Sequence, residues 1–166
     1  MQPKSESLEK IREVYAEKSV LALKWSAILA LTKARLNISV VYSAVAGYLL
    51  GASEYSALHL VLLAIGGYLV VGAANGFNQV IERDRDALMQ RTQNRPLPTG
   101  RLSVLEAMIA CTLMAFAGMC MLYLINPLTA GFGAFALFMY VLVYTPLKAK
   151  GPIAVFVGAF PGAIPA

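Results

Sequence analysis

Charge is what this chain has least of: only 14% of its 166 residues are Asp, Glu, Lys or Arg, against 58% that are hydrophobic. A soluble domain of this length has too little interior to hide so much apolar sequence. A bilayer can take it, provided the backbone satisfies itself. Histidine is nearly absent, with His59 alone. Cysteine is scarce too. Cys111 and Cys120 lie in one apolar run and form no C-x-x-C pair, which argues against a disulfide framework, a zinc site or a covalent haem attachment. They read as reduced packing residues. The chain also lacks a signal peptide's apolar stretch near Met1. Residues 1–24 are mostly polar, and Glu6, Glu9, Glu13 and Glu17 are foreign to a mitochondrial presequence.

What is present is a series of long apolar stretches: roughly 36–52, 57–81, 104–125, 128–147, and a fifth starting near 152. A spanning helix needs about 20 residues at 1.5 Å each. The first stretch reaches that length if Trp25 to Thr32 continue the same helix. The fifth is still apolar at Ala166, so the chain reads as the front part of a longer protein. Leu8, Ile11, Tyr15 and Leu23 form a sparse apolar stripe among charges. Residues 1–24 therefore read as an amphipathic lead-in helix on the membrane surface or in solvent, and 25–166 as the membrane domain.

The net charge of +5 invites a nucleic-acid reading, but its distribution argues otherwise. Seven basic residues, Lys4 to Arg35, precede the first stretch, and five, Arg83 to Arg101, follow the second. Lys148 and Lys150 follow the fourth, and the loops between carry none. All fourteen fall on alternate loops, hence on one side of a membrane. By the positive-inside rule that side, with the N-terminus, is cytoplasmic. A multi-pass protein of the bacterial inner membrane is expected. Gly72 and Gly76, and Gly158 and Gly162, are spaced for close helix contact.

The second stretch ends in a polar ladder. Asn78, Glu82 and Asp86 are spaced i, i+4, i+8, so they share a helix face, each about 6 Å along the axis from the next. Polar groups in or near a bilayer face a cavity or a bundle interior. Two carboxylates and an amide oxygen are hard ligands, and Mg²⁺ takes one or two carboxylates and completes its shell with water and phosphate oxygens. Arg91 and Arg95 follow, able to hold phosphate through planar forks. Pro96, Pro98 and Gly100 break the helix and stiffen the loop that carries them.

The segment from Asn78 to Gly100, NQVIERDRDALMQRTQNRPLPTG, resembles the first Asp-rich signature of the UbiA-type intramembrane prenyltransferases. Gln79 and Glu82 stand where that family usually has Asp, and Asp86 keeps the third acid. The form found here is similar to the family's haem-farnesylating branch. So are Leu31-Thr32-Lys33-Ala34-Arg35, with Ala34 where Pro is usual, and Tyr144-Thr145-Pro146-Leu147-Lys148, with Ala149 where Arg follows. Gly158 to Ala163 resembles a further G-A-x-P-G-A element.

The resemblance implies an all-α, UbiA-like polytopic transmembrane helix bundle, of which this chain supplies about four and a half of nine spans. The second Asp-rich motif is not among these residues, so the chain alone is expected to be inactive. The resemblance further implies Mg²⁺-dependent transfer of a farnesyl group from farnesyl diphosphate to haem B, giving haem O. A haem A synthase or a terminal-oxidase assembly factor would be the partner. Asn78, Glu82 and Asp86 are assigned to Mg²⁺–diphosphate. Arg91, Arg95 and Lys148 are expected to contact diphosphate, with Lys33 and Arg35 as further candidates. His59, at the far end of the second span, is expected at the surface rather than on haem. Tyr140 and Tyr144 suit an interfacial belt or the site equally. Two alternatives stay open. One is a related prenyltransferase acting on 4-hydroxybenzoate, a quinone precursor or a chlorophyll-type product. The other is a non-enzymatic transporter half or assembly factor.

Overall fold

The computed structural model describes residues 19–52 and 54–148, and every regular element among them is helical. In chain order they are α1 (Ser19–Thr32), α2 (Ala34–Gly51), α3 (Ala57–Ile81), α4 (Arg83–Leu88), α5 (Val104–Ile125), α6 (Pro127–Phe138) and α7 (Thr145–Leu147). A π-helical stretch, Met139–Tyr144, joins α6 to α7. Among the described residues three segments are long and apolar enough to cross a membrane, Ala57–Ile81, Val104–Ile125 and Pro127–Leu147, and the bent pair Ser19–Thr32 and Ala34–Gly51 makes a fourth if it is one span. The three coincide with the second, third and fourth stretches read from the sequence. The fifth, the glycine pair at 158 and 162, and residues 1–18 of the lead-in lie outside the described residues.

The first span differs from expectation. Trp25 to Thr32 do not continue straight into the helix that follows. The chain breaks at Lys33, a left-handed residue with φ 53° and ψ 58°, and α1 and α2 meet at a bend of 50°. A non-glycine residue in this conformation costs about 1–2 kcal/mol, so something around it must hold the break. Ala34, the first residue of α2, occupies the position where a helix tolerates proline best, because that N–H has no partner in the helix.

Helix α3 is the centre of the bundle. Of its most apolar stretch 28% is buried, against 17% for α5 and 6% for Pro127–Leu147, and it packs chiefly on α5 and then α2. Small residues allow the approach. A Cβ on Gly76 would stand 2.2 Å from Cys111 Sγ, and one on Gly118 2.8 Å from the Gly66 carbonyl oxygen. Large apolar side chains such as Leu50, Leu58, Phe116 and Leu124 point outward instead, as they should where the surroundings are lipid.

The ends of α5 and α6 are set locally. Ser103 and Glu106 form a reciprocal capping box at the start of α5. Asn126 caps α6, whose first residue is Pro127. Near the other end of that span, Pro146 cannot donate to a preceding carbonyl and its ring crowds the turn before it. The widened π stretch precedes it, and Thr145 N–H reaches back to Tyr140 O.

Candidate active site

The elements converge at one end of the bundle. Glu82 caps α3 with φ −89° and ψ 2°, yet the path hardly bends, because Asp86 N–H still bonds Glu82 O at 2.8 Å. The ladder therefore keeps its face. Asn78, Glu82 and Asp86 are 2%, 8% and 3% exposed, so none points to lipid. Asn78 Nδ2 donates to Glu82 Oε2 at 3.2 Å. The Asp86 carboxylate makes no hydrogen bond to the side chains of the other two, but with Glu82 it lines a cavity of about 270 Å³ shared with Arg85, Met89, Arg91, Thr92, Arg95 and Lys148.

Each carboxylate has a cation. Lys148 Nζ is 3.1 Å from Glu82 Oε1, and Arg95 Nη1 is 2.5 Å from Asp86 Oδ2. The loop after α4 places Arg95 by folding on itself. Thr92 Oγ1 donates to Asp86 O at 3.0 Å, Thr99 Oγ1 to Arg95 O at 2.8 Å, and Leu102 N–H to Pro96 O at 3.2 Å. Gly100 takes φ +70°, which its lack of a Cβ allows. Leu97 and Leu102 plug the loop into the core beside Leu31, Ala73 and Cys111. The prolines thus stiffen a loop that is also anchored by two buried leucines.

Of the further candidates, Arg91 lines the cavity and is exposed, with no ion pair among the described residues. Lys33 is partly buried and is not among the residues that line the cavity, but it is within Coulombic reach of Arg95, Lys148, Glu82 and Asp86. Arg35 is exposed and lines no part of it. His59 sits in the first turn of α3, roughly 35 Å along the helix from Glu82. Tyr140 and Tyr144 stack at 5.3 Å between ring centroids.

Three participants escaped the sequence reading. Thr145 is fully buried, and its hydroxyl reaches Asn78 Oδ1 at 3.0 Å as well as Tyr140 O at 2.8 Å. Its only signal was its place in the Tyr144–Lys148 segment. Gln79 was noted as a replaced acid, but it faces away from the ladder and donates to Leu31 O at 2.7 Å. Asn75 reaches Asn37 Oδ1 at 2.9 Å, a buried amide pair between α3 and α2 that i, i+4 spacing from Gln79 could have suggested.

The donor set fits Mg²⁺ as part of a diphosphate complex. Among the described residues no three His, Cys, Asp or Glu cluster to hold a bare metal. Two buried carboxylates at a cavity lined by four cations, Arg85, Arg91, Arg95 and Lys148, leave coordination positions for phosphate oxygens. Glu82 and Asp86 would hold the ion, with Asn78 beside them.

A buried acid ladder with paired cations thus lies at one end of a helix bundle packed through small residues. Residues 40–166 match the UbiA prenyltransferase family, and the chain belongs to that family. It is 60% identical over 135 residues to the protoheme IX farnesyltransferase of Christiangramia forsetii, covering 81% of this chain and 45% of that protein. It is 56% identical to the protoheme IX farnesyltransferase of Flavobacterium psychrophilum, covering 81% and 46%. It is 41% identical to the mitochondrial protoheme IX farnesyltransferase of Arabidopsis thaliana, covering 81% and 32%. The chain spans about half the length, or less, of these relatives. No solved structure matches it significantly.

Proposed function

We propose that the whole protein transfers a farnesyl group from farnesyl diphosphate to haem B, giving haem O, and that this chain supplies the diphosphate-binding half. The observation that carries the proposal is the convergence of buried Glu82 and Asp86 with Lys148 and Arg95 around one cavity. The names of the relatives support the acceptor.

The chemistry follows from charge. Breaking the allylic C–O bond puts negative charge on diphosphate and positive charge on the farnesyl carbon. Bound Mg²⁺ would neutralise the leaving oxygens as that charge develops. Arg95, Lys148 and Arg91 add fixed cations, Arg95 through a planar fork. Lys33 adds charge from the side, and Arg35 is left to topology. Asn78, held by Thr145, keeps Glu82 in place. The prenyl chain has a place to go. An apolar cavity of about 320 Å³ is lined by Val40, Gly67, Val71, Leu122 and Phe132, among others. Gly67 and Val71 lie eleven and seven residues before Asn78, so they continue the ladder's face deeper into the bundle. Such a lining suits the isoprenoid tail, while the reacting carbon stays beside the diphosphate.

The polar end, where every described basic residue lies, is assigned to the cytoplasmic side of a bacterial inner membrane. Haem O would pass to a haem A synthase or a terminal-oxidase assembly partner. The experiment is an assay of membranes carrying the full-length protein with Mg²⁺ and farnesyl diphosphate. Haem B should be converted to haem O, and 4-hydroxybenzoate should not be prenylated. The reverse outcome would move the protein to another branch of the family. Transfer to neither acceptor would favour a non-enzymatic role.

A further inference from the structure

In an unbroken helix, the Leu31 carbonyl would accept the Arg35 N–H. The left-handed turn at Lys33 takes that donor away, and no backbone bond replaces it. Gln79 Nε2 does, at 2.7 Å, from a side chain only 1% exposed. Its Oε1 is buried with no partner among the described residues, which leaves the amide this one bond. A buried amide left half satisfied is costly, so the donor end is what the position requires. An ionised carboxylate there has no proton to give.

The break itself falls at Lys33, two residues after Leu31. Glu82 and Asp86 are each paired with a cation, whereas Lys33 makes no ion pair among the described residues. It stands within electrostatic reach of both pairs. We propose that Gln79 is a positioning residue: by tying Leu31 O to α3 it fixes the α1–α2 break and keeps the Lys33 ammonium beside the diphosphate cavity. The proposal rests on the diphosphate reading of that cavity and adds to it a named hinge and its clamp.

The test is magnesium pyrophosphate binding to the purified full-length protein. Lys33→Met should weaken binding about tenfold, as expected for losing one charge-assisted contact. Gln79→Met and Gln79→Glu should each weaken it by a similar factor. Combined with Lys33→Met, either should add less than about twofold, because both act through one ammonium. Combined with Arg95→Met, the factors should multiply. A nitroxide pair at Leu21 and Leu88, both exposed, should give one narrow distance in the parent and a broadened one in Gln79→Met. Gln79 variants that bind as the parent does, or whose effect multiplies with that of Lys33→Met, would overturn the proposal. So would a failure of every Gln79 variant to fold, which would assign the amide to structure alone. If Lys33→Met changes nothing while Arg95→Met and Lys148→Met weaken binding, this proposal falls and the diphosphate reading stands. If none of the three cations matters, the diphosphate reading itself falls.

Discussion

The Lys148 ammonium lies 3.1 Å from Glu82 Oε1, joining the end of the fourth membrane segment to the end of the second. The π stretch at Met139–Tyr144 and Pro146 precede Lys148 on that segment. Lys148 is about half exposed and Glu82 nearly buried, so the cation is available to a ligand that reaches the same carboxylate. Lys148→Met in the full-length protein should raise KM for farnesyl diphosphate about tenfold. Steady-state transfer assays check this, and an unchanged KM would remove Lys148 from the site.

Thr145 tests whether Asn78 needs orienting. Thr145→Val keeps the shape and removes the hydroxyl at 3.0 Å from Asn78 Oδ1. A fall in kcat of about tenfold is expected, equivalent to one hydrogen bond of roughly 1.4 kcal/mol. Thr145→Ser should retain most of the rate.

Arg95 separates charge from shape. Its guanidinium meets Asp86 at 2.5 Å, and Arg95→Lys would keep the charge while losing the planar fork. Diphosphate binding should weaken about tenfold despite the conserved charge. Full activity in Arg95→Lys would mean that a point charge suffices.

The packing of α3 on α5 and α1 makes a paired prediction. A Cβ on Gly76 would meet Cys111 Sγ at 2.2 Å and Leu31 Cδ2 at 3.2 Å. Gly76→Ala should destabilise the protein by about 1–3 kcal/mol, the usual cost of overpacking. Cys111→Ala, which removes the sulfur, should restore part of that loss. Thermal unfolding of the two single variants and the double reads the compensation, and simple additivity would contradict it.

The membrane segments were legible because length and apolar content alone define a span, and α3 and α5 run over the ranges expected. The ladder was legible because i, i+4, i+8 spacing survives the change at Glu82. The break at Lys33 was not, since nothing local distinguishes a lysine that adopts a left-handed turn. The side chain that bonds the nearby Leu31 carbonyl, Gln79, is distant in sequence. Arg35, a basic residue near the same motif, is exposed on α2 and is not among the residues that line the cavity. Thr145 was missed because a lone hydroxyl carries no signal until the residue it touches is known.

The central claim is that Glu82 and Asp86 jointly hold a magnesium-bound diphosphate. It is tested most directly by magnesium-dependent pyrophosphate binding to the full-length protein and to Glu82→Gln, Asp86→Asn and the double variant, with folding monitored in each. The parent should bind only when Mg²⁺ is present and lose binding on chelation. Each single variant should weaken binding at least about tenfold, and the double variant should not bind. A folded double variant that binds magnesium pyrophosphate as tightly as the parent would contradict the claim.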